Sequence, residues 1–160
     1  MPNLPAAKAA AQAFVRSYAD AMELSLDPNT PLGTCASALS SHYAPNFVAF
    51  TKGYVISTGE DPDFWHKGVL THLKRFQEAG LGWKIHLKAS RVEVLSDTAA
   101  ACFITWEIEP AKGEGWCWEN IYGWRGGQGE GAKGGWEHTV SDNEFDELIK
   151  RYPNFMELEV

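Results

Sequence analysis

Three polar residues, Asn120, Tyr122 and His138, are predicted to lie within an aromatic surface near the C-terminal end of the chain. Side chains alternate between the two faces of a strand, so the segment WCWENIYGWR presents one face composed of Trp116, Trp118, Asn120, Tyr122 and Trp124. Imidazole titrates near neutral pH, a phenol can donate to a developing oxyanion, and an amide can orient a carbonyl. We therefore predict His138, Tyr122 and Asn120 as catalytic residues of an acid–base reaction that needs no cofactor.

Antiparallel pairing of the last three predicted strands would bring these residues onto one face. A hairpin centred on residues 110–115 pairs Trp106 with Trp118 and Ile104 with Asn120. A second hairpin, centred on the glycine-rich loop 126–135, pairs Trp124 with Trp136 and Tyr122 with His138. Directly paired residues share a face, and a slip of one residue would exchange the faces. After such a slip, Glu107 and then Glu119 would be the candidate acids.

Aromatic side chains with a few polar tips are typical of a pocket for a small molecule. The ligand-binding residues that we predict are Tyr18, Trp65, His72, Trp106 and Trp118. Tyr18 and His72 would reach the aromatic wall from helices. A second interpretation stays open, in which the tryptophans only fill a core and the polar groups only satisfy one another.

Composition narrows the class of protein. The 160 residues are expected to form a single domain, 1–160, with 44% hydrophobic residues. The net charge of −7 argues against nucleic acid and anionic membranes as partners, since phosphate binding needs clustered lysine and arginine. No segment is apolar enough for a bilayer span, and three scattered cysteines favour a reducing, cytoplasmic setting. The five histidines lack metal-ligand spacing, so no metal is expected.

The hydrophobic pattern predicts helices and strands in separate blocks. Helices are expected at residues 6–26 and 34–42, from an Asp61 cap to Gly80, and at 145–151 after a capping box formed by Ser141 and Glu144. Strands are expected at residues 46–51, 83–95, 98–109, 116–125 and 136–140, with a further possible strand at 54–57 and a bulge near Ser90. This order is typical of the α+β class.

The order of these elements resembles that of the NTF2-like superfamily, which includes SnoaL-like cyclases, scytalone dehydratase and ketosteroid isomerase. The resemblance rests on Tyr122-Gly-Trp-Arg125, the glycine-rich loop, the GGWEHTVSD segment after it, and SDTA at 96–99. It looks most like SnoaL-like proteins of filamentous fungi. It implies a cone-shaped, curved, mostly antiparallel sheet wrapped over three helices, and often a homodimer.

The resemblance implies two classes of function, because a shared fold does not determine activity. The first expectation is a SnoaL-like, cofactor-independent isomerase, cyclase or dehydratase that acts by acid–base chemistry on a small hydrophobic carbonyl compound. The alternative is a non-catalytic module that binds a small molecule or dimerises.

Overall fold

The computed structural model describes residues 3–59, 61–81, 84–127 and 134–160. Four helices, α1 to α4, span Leu4–Glu23, Leu32–Ser40, Phe64–Glu78 and Asp142–Arg151. Six strands, β1 to β6, span Tyr43–Thr51, Tyr54–Ser57, Lys84–Ser96, Ala99–Glu109, Trp116–Arg125 and Gly135–Val140. The predicted α+β class is therefore confirmed for the described parts of the chain. Trp83, expected to begin a strand, lies outside the described residues.

The six strands form one open sheet in the order β2-β1-β6-β5-β4-β3. All neighbours are antiparallel except β1 and β6, which run parallel. Helix α1 packs on β3 and β4, and α2 packs on α3. The main core lies between the sheet and these helices, because the aromatic face of β4 and β5 is buried there.

The pairing of β4 with β5 confirms the predicted hairpin. Trp106 lies opposite Trp118, and Ile104 lies opposite Asn120. Even-numbered residues of both strands are buried, while Glu107 and Glu119 lie on the outer face. The register of the aromatic wall therefore follows from the period-two pattern and the length of the connecting loop.

The pairing of β5 with β6 corrects the predicted position of His138. Trp124 pairs with Trp136 as expected, but the register then shifts, so that Gly123 faces His138 and Tyr122 faces Thr139. Glu137 is the extra residue of this bulge, and its carboxylate accepts two hydrogen bonds from Arg125. The bulge turns Thr139, rather than His138, toward the buried face.

A second bulge lies in β3, where the register shifts between Leu87 and Ala89. The predicted bulge near Ser90 is confirmed to within two residues, because the buried positions change from odd to even along the strand. Helix α3 ends at Glu78, and Gly80, the predicted C-terminal stop, follows two residues later with a positive φ of 72°. It begins later than predicted, since Asp63 rather than Asp61 is the residue before its first turn.

The predicted capping box at the start of α4 is wrong, although Ser141 does occupy the N-cap position. The Ser141 backbone N–H donates to the Phe50 carbonyl, and its hydroxyl lies 3.0 Å from the Thr51 hydroxyl. Strand β1 thus supplies the partners that Glu144 was expected to supply. The Glu144 carboxylate is left for other contacts inside the protein.

The contact between Gly123 and His138 gives a test of the observed register. A methyl group at position 123 would lie 2.1 Å from His138 Cε1, so Gly123→Ala must displace the imidazole. We expect Gly123→Ala to lower the free energy of unfolding by about 1–3 kcal/mol, the usual cost of overpacking. Urea titration would measure it.

The matched control introduces the same Gly123→Ala change into a His138→Ala background. Without the imidazole, the new methyl group at position 123 has space. There the cost of Gly123→Ala should shrink to a small fraction of its value, and the two substitutions should show a coupling energy in a double-mutant cycle. Additive effects would contradict the observed pairing and favour the register predicted from sequence.

Candidate functional site

A cavity of about 300 Å³ opens between the helices and the aromatic face of the sheet. This volume is at the lower end of the range for small-molecule pockets. The cavity wall is mostly apolar, with Phe47 from β1, Phe76 from α3 and Met156 from the C-terminal segment among its members. A small molecule enclosed here would lose most of its contact with water.

The cavity brings together seven of the eight residues predicted as functional. Its wall includes Tyr18, Trp65, His72, Trp106, Trp118, Asn120 and Tyr122. His138 is not among the described residues that line it, because the β6 bulge places the imidazole over Gly123 on the other face. The predicted pairing of His138 with Tyr122 is therefore wrong.

His72 and Glu144 form a hydrogen bond at the cavity wall. The distance between His72 Nε2 and Glu144 Oε2 is 2.5 Å, and the Glu144 side chain is only 9% exposed. Three phenylalanine rings, Phe76, Phe145 and Phe155, surround the imidazole with centroid distances of 5.1–5.6 Å. A carboxylate fixed to one imidazole nitrogen in apolar surroundings is the arrangement that orients a histidine for proton transfer.

Asn120 continues this contact toward the sheet. Its Nδ2 donates to Glu144 Oε1 at 2.8 Å and to the Tyr122 hydroxyl at 3.4 Å. Trp106 Nε1 also donates to the Tyr122 hydroxyl, at 3.1 Å. Both bonds use lone pairs of the Tyr122 oxygen, and the Tyr18 hydroxyl lies within hydrogen-bond reach of it, so the Tyr122 proton can be donated to Tyr18 or to a bound acceptor. The Asn120 carbonyl oxygen is buried and has no hydrogen-bond partner among the described residues.

Two further tyrosines, Tyr18 and Tyr43, lie beside this chain of contacts, with their hydroxyls 2.9 Å apart. Burial is the main cause that raises the pKa of Tyr43 to about 12. Burial first, and then the nearby tyrosines, also raise the pKa of Tyr18 well above its ordinary value. The pKa of Tyr122 is raised by burial, with Tyr43 and the Glu144 carboxylate adding to the effect. All three phenols are therefore neutral hydrogen-bond donors near pH 7.

Sequence reasoning missed two residues of the site, Glu144 and Tyr43. The capping-box pattern accounted for Glu144 locally, although its four-residue spacing to the buried Leu148 places both on one face of α4. Tyr43 was missed because the strand was expected to begin at Asn46. Extending the inward positions Phe47 and Ala49 backwards at period two would have included Tyr43.

A larger groove of about 810 Å³ borders the cavity and shares Tyr43 and Trp65 with it. Its wall is more polar and includes the hydroxyls of Ser37, Ser40 and Ser41. The acid–base groups described above lie in the smaller cavity. We therefore assign the candidate site to the cavity and treat the groove as adjoining surface.

The described residues provide neither a cluster of metal ligands nor a membrane-spanning helix. Over ranges 3–59, 61–81, 84–127 and 134–160, no group of three or more histidine, cysteine, aspartate or glutamate residues could hold a metal ion. Within the same ranges, no helix is both long and apolar enough to cross a membrane.

Comparisons with known proteins show the fold. No protein family model matches the sequence, and no curated protein matches it. Among solved structures, Aln2 from a Streptomyces species aligns with a TM-score of 0.59 and 14% identity, covering 94% of this chain and 99% of that protein. An NTF2-like protein of unknown function from Shewanella oneidensis aligns with a TM-score of 0.56 and 11% identity, covering 82% and 94%.

A ketosteroid isomerase-like protein from Erwinia carotovora aligns with a TM-score of 0.51 and 15% identity, covering 86% of this chain and 92% of that protein. These similarities confirm the predicted NTF2-like fold. At such low identities they establish the fold alone, so the function has to be argued from the site.

The raised pKa values of Tyr18, Tyr43 and Tyr122 predict a loss of stability at alkaline pH. A folded-state pKa of about 12 for Tyr43 lies above the ordinary value of 10.0, so its contribution is fully present below pH 10.0. It is lost as the pH rises toward 12, because the unfolded chain releases the proton first. Urea unfolding at several pH values between about 8 and 11 should show a decline that becomes shallower in Tyr43→Phe.

The matched control is Tyr54→Phe, which removes the hydroxyl of a tyrosine that is 74% exposed. This variant should keep the full alkaline decline of the wild type. An identical slope for wild type and Tyr43→Phe would show that Tyr43 does not titrate as its buried position requires.

Proposed function

We propose that this protein is a cofactor-independent enzyme that moves a proton on a small, hydrophobic carbonyl compound. One observation carries the proposal: His72, Glu144, Asn120 and Tyr122 form a continuous hydrogen-bonded chain along one apolar cavity. Enolisation is the common first step, and isomerisation, dehydration or cyclisation of the same compound class can follow from it.

His72 is the residue that we assign to proton transfer. With its proton on Nε2, His72 donates a hydrogen bond to Glu144, and Nδ1 is the imidazole nitrogen that can take a proton from the carbon beside a carbonyl. The carboxylate then stabilises the imidazolium that forms. Returning the proton to another carbon would complete an isomerisation and regenerate neutral His72.

Tyr122 is the residue that we assign to the carbonyl oxygen. When the α-proton leaves, the electron pair of the C–H bond moves toward that oxygen, which becomes negative. The Tyr122 hydroxyl already accepts hydrogen bonds from Trp106 and Asn120, which makes it a stronger donor to such an oxyanion. The raised pKa of Tyr122 keeps its proton in place before the reaction.

The apolar wall adds to both effects. Electrostatic interactions are stronger where water is excluded, and the walls formed by Phe47, Phe76 and Trp118 provide such surroundings. The same walls select a ligand with a hydrophobic body. Its size is limited by the cavity volume of about 300 Å³.

A binding module without catalysis is the second candidate function. It is favoured by the mutual contacts of Glu144 and Asn120, because a buried carboxylate and amide can pair for stability alone. The two candidates share the cavity and differ in whether His72 and Tyr122 act on a bound molecule. Measuring binding and proton transfer separately therefore distinguishes them.

The catalytic assignment of His72 and Glu144 can be tested by exchange of carbon-bound hydrogen. The protein is incubated in D₂O with a small cyclic ketone such as 2-tetralone, and α-deuteration is followed by NMR. Wild type should accelerate exchange over buffer. His72→Gln and Glu144→Gln should each reduce the enzymatic rate by about 100-fold or more, the usual contribution of a general base.

The matched control for these variants is His138→Gln, which makes the same change outside the cavity. It should retain nearly full activity, and ketone binding, measured by tryptophan fluorescence, should persist in all three variants. Exchange no faster than in buffer, for a ketone shown to bind, would reject the enzyme and leave the binding module.

The Tyr122 assignment is tested by Tyr122→Phe in the same assay. We expect the exchange rate of the bound ketone to fall by about 100-fold, a typical effect of losing one oxyanion donor, while the dissociation constant changes little. A variant that weakens binding and leaves the bound-state rate intact would assign Tyr122 to ligand recognition alone.

A further inference from the structure

Arg75 occupies an unusual position at the cavity. It lies three residues after His72 on α3 and forms part of the same cavity wall. Its Nε donates to the Leu158 carbonyl at 3.2 Å, which fixes the guanidinium against the C-terminal segment. That hydrogen bond uses one of the five N–H groups of the guanidinium and leaves its two terminal nitrogens for other partners.

The charge of Arg75 has no acidic partner within the part of the chain that the structure describes. Three of the other arginines, Arg91, Arg125 and Arg151, each bind a glutamate carboxylate. Arg16, the remaining one, is exposed. Arg75 is half-buried, in a protein with 21 acidic residues and a net charge of −7. A half-buried guanidinium without an acidic partner in an acidic protein is available to bind an anion.

We propose that Arg75 binds a carboxylate group of the ligand, so that the substrate is a hydrophobic keto acid rather than a neutral ketone. The inference rests on the proposed function, because it concerns the same cavity. A guanidinium with two free terminal nitrogens matches a carboxylate in a bidentate geometry. His72 and Arg75 lie three positions apart on α3, so their Cβ atoms are about 5–6 Å apart and both side chains can contact one ligand.

The acids close to Arg75 in the sequence or beside its backbone partner leave this site available. Glu78 lies one helical turn later on α3, and Glu157 and Glu159 flank Leu158. None of the three forms an ion pair with Arg75 among the described residues. Glu144 lines the cavity, but its two oxygens are taken by His72 and Asn120. The ligand carboxylate would therefore lie at the Arg75 end of the cavity, away from the Glu144 carboxylate that repels it.

The experiment compares two probes of nearly equal shape, 2-naphthoate and 2-naphthamide, by tryptophan fluorescence and calorimetry. Wild type should bind the anionic naphthoate on the order of tenfold more tightly than the neutral amide. Arg75→Gln should abolish this preference and leave the affinity for the amide unchanged. Arg75→Lys, which keeps the charge and loses the fork, should show an intermediate preference.

Arg16→Gln is the matched control and should behave as wild type with both probes. Unchanged amide binding in Arg75→Gln shows that the cavity is still folded. Equal binding of the two probes by wild type, a preference that survives in Arg75→Gln, or no binding of either probe at millimolar concentration would each overturn the proposal.

The result is independent of the test for catalysis. If exchange is absent both for a bound neutral ketone and for a bound hydrophobic keto acid, but the naphthoate preference depends on Arg75, the anion site stands and the enzymatic function fails. If exchange depends on His72 while the two probes bind equally, the enzymatic function stands and the anion site fails.

Discussion

Burial of the Glu144 carboxylate is the constraint on which the arrangement of the site depends. A carboxylate that is 9% exposed needs hydrogen-bond donors, and here His72 and Asn120 supply them. These donors come from α3 and β5, while Glu144 itself belongs to α4. One buried charge therefore ties three elements together, and removing either donor would leave it under-compensated.

The sequence predicted the sheet well where period two held without interruption. Trp106 and Trp118 pair as expected, because both strands keep their buried residues at even positions. The prediction failed at β6, where Glu137 adds one residue to the strand. Nothing in the local pattern of GWEHTV indicates a bulge, and the bonds from Arg125 to Glu137 become visible only in three dimensions.

The role of Glu144 in the site was not predicted, because a local interpretation fitted the sequence equally well. Ser141 and Glu144 have the spacing of a capping box, and a single sequence does not show that β1 lies close enough to supply the Ser141 partners. The helix and fold class were predictable because they depend on short-range patterns. The contribution of Glu144 to the candidate site was not predictable from the sequence. It depends on parallel pairing between β1 and β6, which are far apart in the chain.

The two ends of the hydrogen-bonded chain differ in a way that suits the proton transfer proposed for this site. At one end, Glu144 holds the His72 imidazole in place, and imidazole is the side-chain group that ordinarily gains and loses a proton near neutral pH. At the other end, burial raises the pKa of Tyr122, Tyr18 and Tyr43. These phenols therefore donate hydrogen bonds and do not ionise near neutral pH. The proposed reaction on a carbonyl compound would use this difference, because one atom must give up a proton while another, a few bonds away, must be held as it becomes negative.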